Sequence, residues 1–492
     1  MLEIEFLKEQ LYLLAIVYLV IELTGIYYAV HAILNTRTSQ AAIAWAITLV
    51  TMPIVVLPLY WIFGNSRFYA YMESFRQSSL EHIDKARQVF QEIELYHVDS
   101  IEGLEDVNST VNRLELLPFT AQNNAQLLIN GQKTYKAMLE AIEQAEDYVL
   151  LQFYIIHNDH VGETFRKLLT EKLQQGVRVY FLYDEIGSHL LSKRYLRELR
   201  RAGAQVSSFN GHKGINKYLH INFRNHRKIL IVDGLKAFVG GLNLGLEYLG
   251  EDEDMGYWRD THVMLQGPSV QTTQTVFVKD WFWSKGKVPE LNWVVQTAEA
   301  SCLGIQASQC QQNIMVLGTG PADEKPVCSL FFCALINQAR SCVWIATPYF
   351  VPDQEIIQAL KNAALRGVDV RLILPDSYDN YFVYLTSFAY YRDLKGYDIK
   401  IYRYTKGFNH QKVIMVDDEL AGIGTVNLDN RSIYLNFEVA AYIADKDFAL
   451  KVRHMLEYDM NHSYLDKIED FEQRPLWFKA ISRVFYLFSP VL

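Results

Sequence analysis

The feature that most restricts the fold of this chain is an internal repeat. From about residue 114 the sequence alternates strand-like and helix-like segments, which predicts an α/β architecture, and it does so twice. The first half runs AIEQAEDYVLLQFYI, a helical stretch near 162–175, then GVRVYFLYD; the second runs ALINQARSCVWIATPYF, a helical stretch near 354–366, then GVDVRLILPD. Gly176 and Gly367 punctuate matching places, each opening a run of buried-strand type just past a helix end. Two related halves offset by roughly 190 residues predict two similar domains that pack about a pseudo-two-fold axis.

Each half also carries the same polar constellation. NHRKILIVDGLKAFVGGLN places His226, Lys228 and Asp233 in the pattern HxKxxxxD, with Gly240 and Asn243 seven and ten residues after the Asp. NHQKVIMVDDELAGIGTVN repeats it with His410, Lys412, Asp417, Gly424 and Asn427. A chain of this composition contains roughly 0.04 such matches by chance, so two with the same trailing residues are not coincidence. His and Lys two apart on an extended segment project from one face, so an imidazole and an ammonium group converge. That pairs a nucleophile with a phosphate-binding cation. The runs ILIV and VIMV that follow read as buried strands, which would hold each pair rigidly. Asn amides offer two donors to phosphoryl oxygens, so two Lys and two Asn would surround one phosphate. One histidine would attack phosphorus to give a phosphohistidine while the other protonates the leaving alkoxide.

Ahead of the repeat lie two apolar stretches. Residues 11–34 carry Glu22 as their only formal charge, and residues 41–63 carry none, with Pro53 and Pro58 expected to kink a helix there. Each is long enough to cross ~30 Å of hydrocarbon, and a cleaved signal peptide would not be followed at once by a second long segment. A hairpin of two transmembrane helices is expected. Lys8, Arg67, Arg76, Lys85 and Arg87 flank it on one side against Arg37 alone in the connector, which predicts cytoplasmic domains. Glu22 is expected either to serve a function in the membrane or to mediate contact between the two helices. Half the chain is apolar and 21% is charged, which excludes disorder, and a net charge of -9 argues against coating of nucleic acid. Cys302, Cys310, Cys328, Cys333 and Cys342 are odd in number and show no CxxC pair, so reduced and mostly buried thiols are expected.

The duplicated HxKxxxxD with trailing GGLN and GTVN resembles the phospholipase D superfamily and, within it, the bacterial cardiolipin synthases anchored by two helices. The likeness extends to AIAWAI, LYWIFGNSR, GGLNLGLEYLG, YWRDTHV, IATPYFVPD, GFNHQKVIMVDDELAGIGTVNLDNRS and LNFEV. It implies two phospholipase D-like mixed-sheet domains and a phosphatidyltransferase without metal or other cofactor. The donor and acceptor it implies are phosphatidylglycerol, giving cardiolipin and glycerol; a membrane-anchored hydrolase, a different phosphatidyltransferase or a non-catalytic scaffold are the rivals. On this reading residues 1–66 are the anchor, 67–113 a linker, 114–290 the first domain, 291–326 a linker, 327–473 the second domain and 474–492 an amphipathic interfacial segment.

The resemblance also assigns residues. The catalytic set is His226, Lys228, Asp233, His410, Lys412 and Asp417, with His226 the expected nucleophile and His410 the expected acid and later base. Within it Asp233 and Asp417 are expected to bond nearby backbone rather than touch substrate. Asn243 and Asn427 join the phosphate cradle, and Asp260 and Glu438 match positions that orient the histidines. Asn409 and Gln411 depart from the common pattern and put pocket shape in question. The expected partners are a membrane and an anionic phospholipid, not nucleic acid. A basic run at 212–228, with Lys213, Lys217, Arg224, Arg227 and Lys228, fits an anionic head group. At the C-terminus, Trp477, Phe478, Ile481, Phe485 and Phe488 interleave with Arg474, Lys479 and Arg483, as in an interfacial helix, with a core-packing helix the alternative.

Overall fold

The computed structural model describes residues 2–64, 68, 71–74, 83–209, 222–253, 255–297, 310–467 and 470–492. Arg67, Arg76, Lys213, Lys217, Cys302 and the side chain of Lys85 lie outside the described residues. The chain divides into two compact units, residues 1–69 with 212–223 and residues 70–211 with 224–492.

The first unit holds α1 (Leu2–Asn35), α2 (Ser39–Thr51) and α3 (Pro53–Phe63). Among the described residues, α1 is the one helix long and apolar enough to cross a membrane. The stretch 41–63, expected as one kinked helix, is divided at Met52. Pro53 has no N–H to continue the ladder and disfavours helical geometry in the residue before it, which sits at φ -139°, ψ 51°. Pro58 is tolerated inside α3. The three helices pack together closely: a Cβ on Gly25 would stand 2.5 Å from the Leu49 carbonyl oxygen, so only glycine permits this approach. His31 Nδ1 bonds Tyr60 Oη at 2.8 Å, and Tyr28 and Trp45 pack on the Tyr60 ring. Glu22 accepts from Tyr18 Oη at 2.6 Å, a partner one turn earlier on its own helix rather than on the second one.

The second unit is built on one mixed sheet. Its first half contributes β1 (Thr120–Ile129), β2 (Tyr148–Phe153), β3 (Arg178–Tyr183), β4 (Gln205–Ser208), β5 (Ile229–Val232), β6 (Lys236–Gly240) and β7 (Thr261–Gln266). Its second half contributes β8 (Gln312–Thr319), β9 (Cys342–Ala346), β10 (Asp369–Pro375), β11 (Ile399–Tyr404), β12 (Val413–Val416), β13 (Leu420–Gly424), β14 (Asn436–Ala444) and β15 (Ser463–Asp466). From the middle outward one half runs β1-β7-β6-β5-β2-β3-β4 and the other β8-β14-β13-β12-β9-β10-β11-β15. The same seven-strand order is traced twice, with β15 added at the edge of the second half, and β1 and β8 meet antiparallel at the centre, Thr120 opposite Ile314. This is the two-fold arrangement the repeat predicts.

The central strands are buried on both faces and read as unbroken apolar runs, ILIV in β5 and VIMV in β12. Among the helices, α4 (Ser269–Lys285) and α6 (Lys446–Asn461) pack on them, while α5 (Tyr381–Ala389) and α7 (Leu476–Tyr486) pack on each other.

Two stretches expected as linkers are structured. β8 lies inside 291–326, and it is the innermost strand of the second half. The helix Glu105–Arg113 lies inside 67–113, and its Val107 and Val111, with Leu104, are buried against Phe331, Leu335 and Val343 of the second half. Its polar composition hid a narrow apolar stripe that needs a partner from the far repeat. Cys310, Cys328 and Cys342 are buried and Cys333 half-buried, all as free thiols.

Candidate active site

Each HxK segment runs into the start of a buried strand, His226-Arg227-Lys228 into β5 and His410-Gln411-Lys412 into β12. What joins the two is an exchange of short strands across the centre of the sheet. Arg224–Asn225 pairs in parallel with Asn436–Phe437 at the head of β14, and the His226 amide donates to the Phe437 carbonyl at 2.9 Å. Symmetrically, Phe408–Asn409 pairs with Trp258–Arg259 just before β7, and the His410 amide donates to the Arg259 carbonyl at 2.8 Å.

The next residue in each receiving strand is an acid, so the carboxylates cross over. His226 Nδ1 bonds both oxygens of Glu438, at 2.9 and 3.0 Å, and His410 Nδ1 bonds Asp260 Oδ2 at 2.7 Å. Each acid is fully buried. With Nδ1 engaged, Nε2 of each ring is the nitrogen left for chemistry. Lys228 Nζ donates to the His226 carbonyl at 2.7 Å and Lys412 Nζ to the His410 carbonyl at 2.5 Å, which folds each ammonium back beside its own imidazole.

Burial sets the electrostatics. It pulls the His226 imidazole down to about 4 and the His410 imidazole down to about 3, the neighbouring lysines adding to it and the carboxylates opposing it. Each histidine senses both Lys228 and Lys412, one from each half, so the four groups share one field. Burial lowers Lys412 to about 8 and Lys228 well below its ordinary value. Burial alone would raise Asp260 and Glu438, but the adjoining imidazoles, lysines and hydrogen-bond donors outweigh it, and both stay below the usual carboxylate range. Burial thus works against the charged form of both imidazoles and both lysines, and an anionic phosphodiester among them would relieve that penalty.

The remaining expected residues divide. Asn243 Nδ2 donates to Tyr248 Oη at 2.9 Å and its Oδ1 accepts from the Ile155 amide at 3.0 Å, so it braces the loop and keeps one N–H for a ligand. Asn427 Oδ1 is buried without a partner, so that amide is the less committed of the two.

Asp233 and Asp417, grouped by the motif with the catalytic residues, stand at the opposite ends of β5 and β12 from the His-Lys pairs. Their carboxylates cap the turns entering β2 and β9. Asp233 accepts the amides of Glu146, Asp147 and Tyr148, and Asp417 those of Arg340, Ser341 and Cys342. Both have φ of 53°, a left-handed turn that Asp tolerates.

The basic run at 212–228 is also corrected in part. Arg227 is no surface cation: it is buried, with Nη1 on Asp280 Oδ1 at 2.7 Å and further bonds to the Thr319 and Glu438 carbonyls.

Gln411 faces inward as well, accepting from Thr261 Oγ1 at 2.6 Å and donating to Asp459 Oδ2 at 2.8 Å. Asp459 in turn holds Arg259 in a two-point pair at 2.7 and 2.9 Å. The unusual glutamine therefore serves the seam and not the pocket wall.

Aromatic walls escaped the sequence reading. The Tyr154 ring stands 5.0 Å from His226 with Lys228 Nζ 5.3 Å above it, while Trp258 and Phe408 stand 5.0 and 5.8 Å from His410. All three lie next to short strands or strand ends that carry no periodic signal.

A doubled sheet with paired His-Lys segments braced across its seam defines a phospholipase D-like protein. Residues 138–281 and 332–460 match the family described as "Cardiolipin synthase, PLD-like domain". Cardiolipin synthase A of Pseudomonas aeruginosa is 42% identical over 478 residues, covering 96% of this chain and 95% of the relative. That of Pseudomonas fluorescens is 41% identical over 487 residues, covering 98% and 99%. Among solved structures, phosphatidylserine synthase of Haemophilus influenzae superposes with a TM-score of 0.59 at 14% identity, covering 79% of this chain and all of that one, a likeness of fold. The chain belongs to the cardiolipin synthase family of PLD-like proteins.

Proposed function

We propose that this chain is a cardiolipin synthase that transfers a phosphatidyl group from one phosphatidylglycerol to another, releasing glycerol. The observation that carries the mechanism is the crossed bracing, in which His226 rests on Glu438 and His410 on Asp260.

The donor phosphodiester is held by Lys228, Lys412 and the free amide N–H groups of Asn243 and Asn427. Its negative charge raises both imidazoles from their depressed values, so one takes up a proton. Neutral His226 Nε2 attacks phosphorus, the phosphorus–oxygen bond to glycerol breaks, and His410 Nε2 gives its proton to the leaving oxygen. In the second step the terminal hydroxyl of another phosphatidylglycerol gives its proton to His410 and attacks phosphorus, and the phosphorus–nitrogen bond breaks. One phosphodiester is exchanged for another, so no nucleotide is consumed. Glu438 and Asp260 fix the tautomers and stabilise each imidazolium as it forms.

The protein is membrane-associated. We further propose that both apolar N-terminal stretches span the bilayer and leave the catalytic unit in the cytoplasm, where Lys8 and Arg87 flank the hairpin.

Purified protein incubated with radiolabelled phosphatidylglycerol vesicles in chelator is expected to yield cardiolipin and glycerol. Phosphatidic acid as the product would make it a hydrolase, and no turnover would make it a scaffold.

A further inference from the structure

α7 presents one apolar face to the protein and another outward. Its inner face packs on α5 and the residues after it: Phe485 meets Phe382 at 4.8 Å, Phe478 meets Phe388 at 5.3 Å and Tyr486 meets Tyr390 at 5.2 Å. Its outer face is apolar and open. Leu476, Trp477, Ile481, Val484, Leu487 and Phe488 recur at helical spacing and are exposed, Trp477 by 59%, Val484 by 54% and Leu487 by 75%. Phe382, exposed by 55%, continues this surface onto α5, and Tyr378 and Tyr381, 5.1 Å apart, extend it further. Monomeric soluble domains rarely leave so many large apolar side chains side by side.

This surface adjoins the site: α5 packs on Phe350–Val351, which pairs in parallel with Leu428–Asp429 directly after Asn427. Asp379, next to Tyr378, accepts from the half-buried Tyr349 hydroxyl at 2.5 Å and lies within the field of Lys412. Charge selects the occupant. Arg474, Lys479 and Arg483 lie along the C-terminal segment, and neither α5 nor α7 carries an acidic residue. A second copy docking by the same face would oppose these cations to themselves, whereas an anionic lipid surface complements them. α1 is also long and apolar enough to cross a bilayer, which would keep the chain beside one.

We propose that the joined face of α5 and α7 docks onto the anionic bilayer surface and admits phosphatidylglycerol from it to the Lys412 side of the site. The inference rests on the lipid substrate proposed above. Apolar side chains enter the head-group region while the basic residues meet lipid phosphates.

The test uses the full chain with Val484 and Phe488 both changed to Glu. Expected is an about tenfold lower kcat/KM on long-chain phosphatidylglycerol in vesicles, and a rate within about twofold of wild type on short-chain phosphatidylglycerol dissolved as monomers. Equal loss on both substrates, or loss on neither, overturns the proposal.

A second measurement needs no turnover. The fluorescence difference between wild type and Trp477→Phe is expected to be quenched by lipids brominated on their acyl chains. An unquenched difference, or a shift of the Val484→Glu/Phe488→Glu protein to a smaller oligomer, overturns the proposal in favour of a protein partner. If wild type makes no cardiolipin from either substrate, the functional reading fails, and the quenching still decides the docking surface.

Discussion

The two histidine half-sites share one backbone design and differ in how each carboxylate is held. Glu438 accepts the Thr425 hydroxyl at 2.5 Å and the Asn436 amide at 3.2 Å, besides gripping His226 through both oxygens. Asp260 is one methylene shorter, bonds His410 through a single oxygen and takes the Thr261 amide at 2.8 Å. The residue matching Thr425 on its side is Gly241, where a Cβ would stand 2.1 Å from Asp260 Oδ1. The hydroxyl that braces one acid therefore has no room beside the other. The flanks differ too, Tyr154 and Lys228 beside His226, Trp258 and Phe408 beside His410. Two like imidazoles are thereby placed in unlike surroundings, as a step needing one nucleophile and one acid requires.

Removing either ring erases the comparison altogether. His226→Ala and His410→Ala are each expected to lower cardiolipin formation by roughly 10⁴-fold or more, measured with radiolabelled phosphatidylglycerol. If His226 is the nucleophile, phosphohistidine trapped from the wild type by rapid acid quench maps to His226; mapping to His410 would exchange the roles.

Neutralising the braces comes next. Glu438→Gln and Asp260→Asn are expected to lower kcat by roughly 10³-fold with little change in KM, because each leaves the ring in place but unsupported as it charges. A loss confined to KM would make these acids binding groups.

A smaller change sharpens the asymmetry. Thr425→Val removes a hydroxyl that only the Glu438 side possesses, and an about tenfold fall in kcat is expected. A Glu438→Gln/Thr425→Val double variant should then be little worse than Glu438→Gln alone.

The gentlest probe is pH. Burial lowers Lys412 to about 8, so kcat/KM should fall above about pH 8, with the limb displaced upward in kcat because bound anion holds the ammonium charged. Both histidines are depressed in the folded state, so the unfolded chain takes up protons first as pH drops. The stability they contribute is complete above about 6.5 and is lost as pH falls through about 4 towards 3, seen as a falling Tm that flattens in His226→Ala. A Tm rising over that interval would contradict the burial of these rings.

Much of this was legible in the sequence because it is periodic. β5 and β12 are unbroken apolar runs, HxK spacing follows the two-residue strand period, and the glycines recur in step. What stayed hidden depends on the far repeat. The pairing of Arg224–Asn225 with Asn436–Phe437 involves two residues on each side, too few for any pattern, so the sequence named Glu438 and Asp260 without telling which ring each would hold. β8 went unseen for a related reason. It is one strand flanked by glutamines and a glycine, with the helix of its repeat following only at Val327. The motif's aspartates, expected to bond backbone and found doing so, show that adjacency along the chain to reacting residues is compatible with standing at the far end of a strand.

The exchange of braces between repeats has an evolutionary corollary. In a homodimer made of single repeats, any substitution near one imidazole would be copied beside the other, and the pair would be locked into sameness. Fusing the copies in one polypeptide removes that lock, and the chain has used the freedom: glutamate on one side and aspartate on the other, arginine after one histidine and glutamine after its twin.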